Sequence, residues 1–148
     1  MARVSTYLNF MGKTEEAFNF YRSVFGTEFT SPISRMGEVP TDPTAPAMKE
    51  NEKNLVMHVA LPTLGDHVLM GTDALESQEH QLTFGNNISI NLEPDSREEA
   101  DRLFSALAEG GSEDMPMQDM FWGDYFGTLT DRYGVQWMIN FSQGSQGG

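Results

Sequence analysis

The chain has 148 residues, no cysteine, and 22 acidic against 9 basic side chains, which gives a formal net charge of −13 at pH 7. A chain of this length suits one compact domain or two small repeats, and it can bury enough apolar surface to fold without a disulfide or metal. The lack of cysteine excludes disulfides, thiolate zinc sites and a cysteine nucleophile. The negative charge argues against binding to nucleic acid or to an anionic membrane surface.

The sequence contains no segment typical of a signal peptide or a membrane span. Residues 1–5 carry one arginine with no long apolar run behind it, and no stretch approaches the roughly 18 apolar residues that a membrane helix needs. We therefore expect a cytoplasmic globular protein that binds neither nucleic acid nor membrane.

The first half of the chain predicts a strand, a helix and further strands. In the first strand Thr6, Leu8 and Phe10 share one side, and Thr14 is the predicted cap of an amphipathic helix that ends at Gly26. The predicted elements are a strand at 4–10, a helix at 14–25, a strand pattern at 27–36, an irregular stretch at 37–53, and a hairpin of strands at 54–62 and 66–73.

The second half repeats that order. Ser96 followed by Glu99 is typical of a helix start, and the helix ends at Gly110. The predicted elements are a strand at 86–93, a helix behind Ser96, a strand at 112–120, a hairpin of strands at 125–130 and 135–141 across the turn at 131–134, and a disordered tail at 142–148.

The two halves align at an offset of 83 positions. This offset superposes Glu15-Glu16-Ala17 on Glu98-Glu99-Ala100 and pairs Thr6 with Ser89. Chance similarity between two acidic helix starts is the alternative explanation. The better interpretation is an α+β fold of two βαβββ modules, at about 4–73 and 86–141, which form a curved mixed sheet or cup within a single domain at 1–141.

Eight short segments of the sequence are specific when their order and spacing are taken together. They are Tyr7-Leu8-Asn9-Phe10, Glu16-Ala17, Phe20-Tyr21, His58, Gly65-Asp66, Leu69-Met70, Phe121-Trp122-Gly123-Asp124-Tyr125-Phe126-Gly127 and Thr130-Asp131-Arg132-Tyr133-Gly134-Val135-Gln136-Trp137. Through these segments the sequence resembles the vicinal-oxygen-chelate superfamily, which includes glyoxalases, bleomycin-resistance proteins and extradiol dioxygenases, and in particular its PhnB-like branch. The resemblance covers about residues 4–141.

The resemblance implies a cup of two βαβββ modules and a homodimer. Many members hold a divalent metal with one residue on the first strand and one on the fourth strand of each module. The corresponding positions here are Thr6 and Ser89 on the first strands and, within one residue, Met70 and Met138 on the fourth strands, where Gly71 or Ile139 are the neighbours. Hydroxyls and thioethers are poor ligands for such metals, so the residues at these positions predict a cup with neither metal nor cofactor.

Alternation along the strands predicts which side chains face the cup. Ile88, Ile90 and Leu92 are expected to pack on the helices, together with Trp137, Ile139 and Phe141. The opposite parity carries amides, hydroxyls and thioethers, a composition that suits a small-molecule site. A wet interior without function is the alternative. The predicted substrate-binding residues are Thr6, His58, Met70, Ser89, Asn91, Trp122, Gln136, Met138 and Asn140.

Two of these residues have competing interpretations. His58 lies in an otherwise apolar strand, where it is either a half-buried core histidine or a hydrogen-bonding or acid–base group that faces the cup. Trp122 lies between glycine-containing turns and either stacks on a planar ligand or fills a dimer contact. The sequence assigns no catalytic residue.

Three functions follow from these residues. The first is a metal-free, homodimeric protein that binds a small aromatic or amphipathic molecule. The second is a metal-dependent lyase, isomerase or dioxygenase that uses displaced ligands such as His58, and the third is a metal-free acid–base enzyme with His58 as its base. Relatives of this branch are often named ubiquinone methyltransferases, but the sequence lacks the glycine-rich strand-to-helix turn that a nucleotide-type cofactor requires.

Overall fold

The computed structural model describes residues 2–40 and 42–142, in which a strand, a helix and three strands follow one another twice. This order confirms the predicted α+β fold of two βαβββ modules. The strands and helices are β1 (Thr6–Phe10), α1 (Thr14–Phe25), β2 (Ser34–Arg35), β3 (Val56–Pro62), β4 (Val68–Asp73), β5 (Ile90–Leu92), α2 (Arg97–Ala108), β6 (Ser112–Asp119), β7 (Asp124–Thr130) and β8 (Gln136–Ser142).

Each module builds one mixed four-stranded sheet. The first module has the order β1-β4-β3-β2, with β1 parallel to β4 and the other pairs antiparallel. The second has the order β5-β8-β7-β6, with β5 parallel to β8. The chain divides into two compact units between Thr83 and Phe84. In each unit the helix covers one side of its sheet, and we call the opposite side the helix-free face.

Helix α1 packs through an apolar stripe and ends at Gly26, which adopts φ 66° and donates its N–H to the Arg22 carbonyl at 2.9 Å. Its start differs from the prediction. Thr14 is the first helical residue, and the Asp73 carboxylate at the end of β4 accepts its N–H at 3.0 Å and its hydroxyl at 2.7 Å. A distant carboxylate therefore does the work that the sequence assigned to a local cap. The buried residues of α1 are Thr14, Ala17, Phe18, Tyr21 and Val24.

Helix α2 starts as predicted, because the Ser96 hydroxyl accepts the Glu99 N–H at 3.1 Å. Its buried stripe faces a sheet side that carries Trp137 and Ile139, both fully buried. The indole N–H of Trp137 donates to buried Asp131 at 2.9 Å, so the core contains a satisfied polar group. The buried residues of α2 are Ala100, Leu103, Phe104 and Leu107.

Several predicted strands are shorter than their sequence patterns. Strand β2 has two residues instead of the predicted ten, and β5 has three, so Ile88 precedes the strand and is 78% exposed rather than packed on a helix. Ser142 ends β8 instead of starting a tail, and residues 143–148 lie outside the described residues.

Within residues 2–40 and 42–142, no helix is long and apolar enough to cross a membrane.

Candidate functional site

Side chains of three neighbouring strands meet on the helix-free face of the first module. The register pairs Tyr7 of β1 with Met70 of β4, and Met70 with Ala60 of β3. Residues paired across strands project to the same side, so these three lie together. Gly71 lies on the other side, where an added Cβ would stand 2.5 Å from the Phe18 ring of α1. Met70, not Gly71, is therefore the fourth-strand residue of this face.

His58 forms a pair with Tyr7 on the first module. The Tyr7 hydroxyl lies 3.3 Å from His58 Nδ1, and the two ring centroids are 6.0 Å apart. Tyr7 is 48% exposed and His58 is half-buried. Histidine and phenol can both donate and accept a hydrogen bond, so this pair offers a ligand a polar contact that can also carry a proton. The sequence analysis predicted His58 as a site residue but missed Tyr7. Tyr7 alternates with Leu8 along the strand, and this alternation could have placed it on the face opposite to Leu8 and Phe10.

Thr6 does not lie on this face, contrary to the prediction. Its partner in β4 is Leu69, which is fully buried and in turn pairs with Leu61 of β3. The Thr6 hydroxyl lies 2.8 Å from His67 Nε2. Thr6 therefore belongs to the helix-covered side of the sheet, and its hydroxyl supports the turn that leads into β4.

The helix-free face of the second module carries amides, hydroxyls and a thioether. Asn91 of β5 pairs with Met138 of β8, and Met138 pairs with Thr128 of β7. The same face continues through the pairs Gln136–Thr130 and Asn140–Phe126. The predicted residues Asn91, Gln136, Met138 and Asn140 thus share one side of the sheet, and their role in binding stays a prediction.

Ser89 is the second residue whose predicted position differs from its position in the structure. It is exposed and precedes β5, so Asn91 is the first-strand residue that pairs with Met138. Ser89 keeps the parity of Asn91 but lies outside the strand, whereas the misplacement of Thr6 follows from a change of offset within the repeat. Thr14 and Arg97 start the two helices and differ by 83 positions, whereas Tyr7 and Asn91 occupy equivalent strand positions and differ by 84. Because side chains alternate, a slip of one residue moves a strand position to the opposite face.

Asn140 has an unsatisfied polar atom. Its amide oxygen Oδ1 is buried and has no hydrogen-bond partner among the described residues. Buried carbonyl oxygens are nearly always paired, so an orphan acceptor on the helix-free face needs an explanation. The sequence could place Asn140 on this face by parity, but the missing partner is a property of the tertiary structure.

An aromatic cluster stands beside Asn140. Trp122, in the loop before β7, is 52% exposed and donates its indole N–H to Asp124 Oδ2 at 3.1 Å. Its ring meets Phe121 edge-to-face at 4.9 Å and Phe126 at 6.4 Å between centroids. Phe121 is 96% exposed. The cluster presents apolar ring surface next to the polar strand residues, an arrangement suited to a planar molecule.

The second sheet has no positive side chain. Strands β5 to β8 contain no lysine or arginine. Asp124 lies at one end of the helix-free face, and at the other end the Thr130 hydroxyl donates to Asp114 at 2.7 Å. Arg97 of α2 instead pairs with Asp119 at 2.8 Å, and this hydrogen bond raises the pKa of Arg97. The electrostatic field along this face is therefore neutral to negative.

The residues at the equivalent strand positions do not fit the metal that the resemblance implies. Tyr7 with Met70, and Asn91 with Met138, offer a phenol, an amide and two thioethers. Zinc, nickel, manganese and iron are held in proteins by imidazole, carboxylate or thiolate. No group of three or more histidine, aspartate or glutamate side chains in the described part of the chain is placed to hold a metal ion.

A concave surface of a different kind lies in the first module. Residues within 36–40 and 42–48 line a cavity of about 650 Å³, with Lys53, Leu75 and Gln78 on its other wall. Glu52 fixes the backbone next to this cavity. Its buried carboxylate accepts the backbone N–H groups of Lys49 at 2.9 Å and of Ser77 at 3.1 Å. Hydrogen bonding from Ser77, helped by that from Lys49, lowers the pKa of Glu52. The sequence predicted a long irregular stretch here but no cavity.

The chain matches known proteins over almost its entire length. Residues 2–140 match the sequence model of the family described as 3-demethylubiquinone-9 3-methyltransferase. The structure is similar to the crystal structure of protein PA1353 from Pseudomonas aeruginosa, at 35% identity and a TM-score of 0.80, covering 96% of this chain and 98% of that one.

Two further solved structures connect the family and the fold. The putative 3-demethylubiquinone-9 3-methyltransferase, a PhnB protein, from Bacillus cereus is 33% identical with a TM-score of 0.73, covering 95% of this chain and 99% of that one. A glyoxalase/bleomycin resistance protein/dioxygenase family enzyme from Burkholderia phytofirmans PsJN is 18% identical with a TM-score of 0.61, covering 93% and 96%, a likeness of fold alone. The chain belongs to the PhnB-like family described as 3-demethylubiquinone-9 3-methyltransferase, with the fold of the glyoxalase/bleomycin-resistance/dioxygenase proteins.

Proposed function

We propose that this protein binds a small aromatic or amphipathic molecule without a metal, through the helix-free faces of its sheets. The observation that carries the proposal is the pairing at the two first-strand and fourth-strand positions, Tyr7 with Met70 and Asn91 with Met138. Neutral hydrogen-bonding groups among apolar surface are typical of small-molecule sites. His58, Trp122, Gln136 and Asn140 add the polar and aromatic contacts.

The proposal does not include the methyl transfer that the family description names. A methyl donor of the nucleotide type needs a strand-to-helix turn whose backbone can approach it closely. The connection from β1 to α1 is Met11-Gly12-Lys13 with a single glycine, and the connection from β5 to α2 is Glu93-Pro94-Asp95-Ser96 with none. Neither connection supports that reaction.

Elemental analysis and native mass spectrometry of the same purified sample test the proposal. We expect less than stoichiometric metal after incubation with Zn²⁺, Ni²⁺, Mn²⁺ or Fe²⁺ and desalting, together with binding of small aromatic molecules that raises the melting temperature. One retained metal ion per chain would instead support a metal-dependent lyase, isomerase or dioxygenase. In that case His58→Ala should lose the metal if His58 is a displaced ligand, with the exposed His80→Ala as the matched control.

The Tyr7–His58 pair favours proton transfer as a second candidate function. A hydroxyl 3.3 Å from Nδ1 is within reach of a shared hydrogen bond, and tightening on substrate binding is common at acid–base sites. If the pair turns over a bound molecule, the rate should depend on pH, because a proton then passes through the pair. Tyr7→Phe should alter that profile, whereas a flat profile in the wild type would refute the assignment.

We also propose that the protein is a homodimer. Val4 and Ile88 are 84% and 78% exposed and flank β1 and β5, which are edge strands of their sheets. Exposed apolar side chains beside unpaired strand edges are suited to cover by a second copy. Native mass spectrometry should give twice the 16.5 kDa of the chain, and Val4→Lys combined with Ile88→Lys should give the single-chain mass. A wild-type sample at the single-chain mass would contradict this part of the proposal.

A further inference from the structure

We propose that the ligand of the second module is a planar aromatic cation, with its ring on Trp122, an N–H donated to Asn140 Oδ1 and its positive charge facing Asp124. This inference rests on the proposed function, since it names the chemical class of the molecule bound on the helix-free face. It assigns that class to β7, β8 and the loop before β7 alone.

The orphan acceptor sets the first requirement. Asn140 Oδ1 is buried without a partner, whereas the neighbouring polar groups are occupied: Thr130 donates to Asp114, and Trp122 donates to Asp124. A buried carbonyl oxygen without a donor is destabilising, and a ligand that supplies a donor recovers that loss. The ligand therefore needs an N–H or O–H directed at Asn140.

The exposed rings set the second requirement. Trp122 and Phe121 stand edge-to-face at 4.9 Å, with 52% and 96% of their surfaces exposed. The indole of Trp122 is held in place by its hydrogen bond to Asp124, so its orientation is fixed before a ligand arrives. A preorganised aromatic surface favours another flat ring, and a positive charge near it adds a cation–π attraction.

The charges set the third requirement. The four strands of the second sheet carry no lysine or arginine, while Asp124 and Asp114 stand at the two ends of the helix-free face. The whole chain adds a net charge of −13. An anionic ligand would meet repulsion with no local partner, whereas a cation gains from both the near carboxylate and the overall field.

The spacing of these groups fits one small molecule. Asn140 pairs with Phe126, and Ser142 pairs with Asp124, so Asn140 and Asp124 are diagonal neighbours on one face. Diagonal neighbours across an antiparallel pair stand about 7–8 Å apart. A bicyclic ring with a short ammonium side chain spans that distance. One small molecule can therefore contact both residues, and the site does not require a polymer or an extended lipid.

The first module does not meet these requirements. Its helix-free face carries Tyr7 and His58, which already satisfy each other, and no orphan acceptor is found there among the described residues. The two faces are therefore expected to differ in their ligand preference, and only the second is assigned to a cation.

The test compares three naphthalene probes that differ in charge: 2-(2-naphthyl)ethylamine as the cation, 2-naphthaleneethanol as the neutral probe and 2-naphthaleneacetate as the anion. Proton–nitrogen NMR of the full chain reports on each tryptophan separately, because there are only two. The indole N–H of Trp122 should shift on titration, whereas that of Trp137, buried against Asp131, should stay as an internal reference. We expect the amine to bind at least tenfold more tightly than the carboxylate, with the alcohol in between.

Three variants locate the contacts. Trp122→Ala should weaken amine binding about tenfold, which is the usual scale for the loss of an aromatic stacking partner. Asn140→Leu should weaken the amine and the alcohol several-fold, since it removes the acceptor at nearly constant volume. Asn19→Leu, the same change of side chain at an exposed position of α1 in the first module, is the matched control and should leave all three affinities unchanged.

Each other outcome overturns the inference in a recognisable way. Equal or tighter binding of the carboxylate at Trp122 refutes the charge class but leaves small-molecule binding intact. Shifts confined to the first module refute the location. No shift with any probe refutes the inference as a whole, and the proposed function is then decided by native mass spectrometry with other molecules. Unfolding of Asn140→Leu is recognised from its NMR spectrum, and Asn140→Ala then replaces it.

Discussion

A buried aspartate determines how three elements of the first module join. Asp73 is 2% exposed, and its two carboxylate oxygens accept three hydrogen bonds: the N–H and hydroxyl of Thr14, which starts α1, and the N–H of Val56, which starts β3. One side chain therefore fixes the start of two elements to the end of a third. The sequence showed an aspartate at a strand end, but only the tertiary structure reveals these partners.

We predict that Asp73→Asn destabilises the fold by about 2–3 kcal/mol, because the amide nitrogen would meet a donor and leave a buried N–H or O–H unsatisfied. Chemical denaturation measures the change. Asp66→Asn, in the exposed turn before β4, is the matched control and should stay within about 0.5 kcal/mol of the wild type. Equal effects of the two substitutions would show that the Asp73 contacts are not specific.

The hydrogen bond between Tyr125 and Asp101 makes the stability of the fold depend on pH in the alkaline range. The Tyr125 hydroxyl donates to Asp101 at 2.5 Å, and this hydrogen bond, together with burial and the negative charge of Asp101, raises the pKa of Tyr125. A folded-state pKa above the unfolded value favours the neutral phenol. Its stabilising contribution is therefore complete below the unfolded pKa of about 10 and is lost as pH rises through the higher folded value.

We predict that the wild type loses stability above about pH 10 more steeply than Tyr125→Phe, which is less stable at pH 8 by about 1 kcal/mol. Urea denaturation at several pH values measures both slopes. Asp101→Asn should also flatten the alkaline slope, since it removes the negative charge that opposes ionisation. Parallel curves for the wild type and both variants would contradict the role of this pair.

At the scale of elements, α1 can lie close to its sheet because β4 carries a glycine under it. A Cβ on Gly71 would stand 2.5 Å from Phe18 Cε1 and 3.2 Å from Thr14 Cγ2. Phe18 is fully buried, so its ring has little room to move. The helix and the strand are therefore fitted to each other at this position.

We predict that Gly71→Ala destabilises the first module by about 1–3 kcal/mol through overpacking, and that adding Phe18→Leu recovers part of the loss. A double-mutant cycle followed by thermal unfolding measures the coupling. Gly85→Ala is the control, since its Cβ would meet only Asn87 Oδ1 at 3.5 Å. Strict additivity of Gly71→Ala and Phe18→Leu would mean that the ring is not what limits the space.

Some features of the helices and strands are determined by residues adjacent in sequence, and others by distant partners. The Ser96 cap, the Gly26 termination and the turn at 131–134 are encoded by neighbouring residues, and the structure confirms them. The length of β2 and the start of α1 depend on partners distant in sequence, so local patterns misplaced them. Asp73 shows this most directly, because its role at Thr14 spans 59 positions.

At the scale of the whole molecule, the repeat was predictable but its register was not. The helices follow an offset of 83, whereas the strand pairs Tyr7–Met70 and Asn91–Met138 require 84 between the first strands. Tyr7 lies seven residues before the start of α1, whereas Asn91 lies six residues before the start of α2. This difference of one residue moved Thr6 out of the candidate site and left Tyr7 unnoticed, and Ser89 was misplaced because β5 starts only at Ile90. Alternation within β8 needed no such alignment, so Gln136, Met138 and Asn140 were placed on the correct face.

The net charge of the whole molecule has a consequence for stability. The chain carries a net charge of −13 on 148 residues, so repulsion between its negative charges destabilises the folded state. Exposed ion pairs such as Arg22–Glu28 contribute too little stabilisation to offset this repulsion. We predict that the melting temperature at pH 7.5 rises by a few degrees between about 20 mM and about 500 mM NaCl, because salt screens repulsion over more than a few ångströms. Close to the sequence pI of about 4.4, where the net charge is small, the same salt titration should give a smaller rise. A melting temperature that falls with salt at pH 7.5 would mean that attractive pairs outweigh the repulsion, and differential scanning calorimetry distinguishes the two cases.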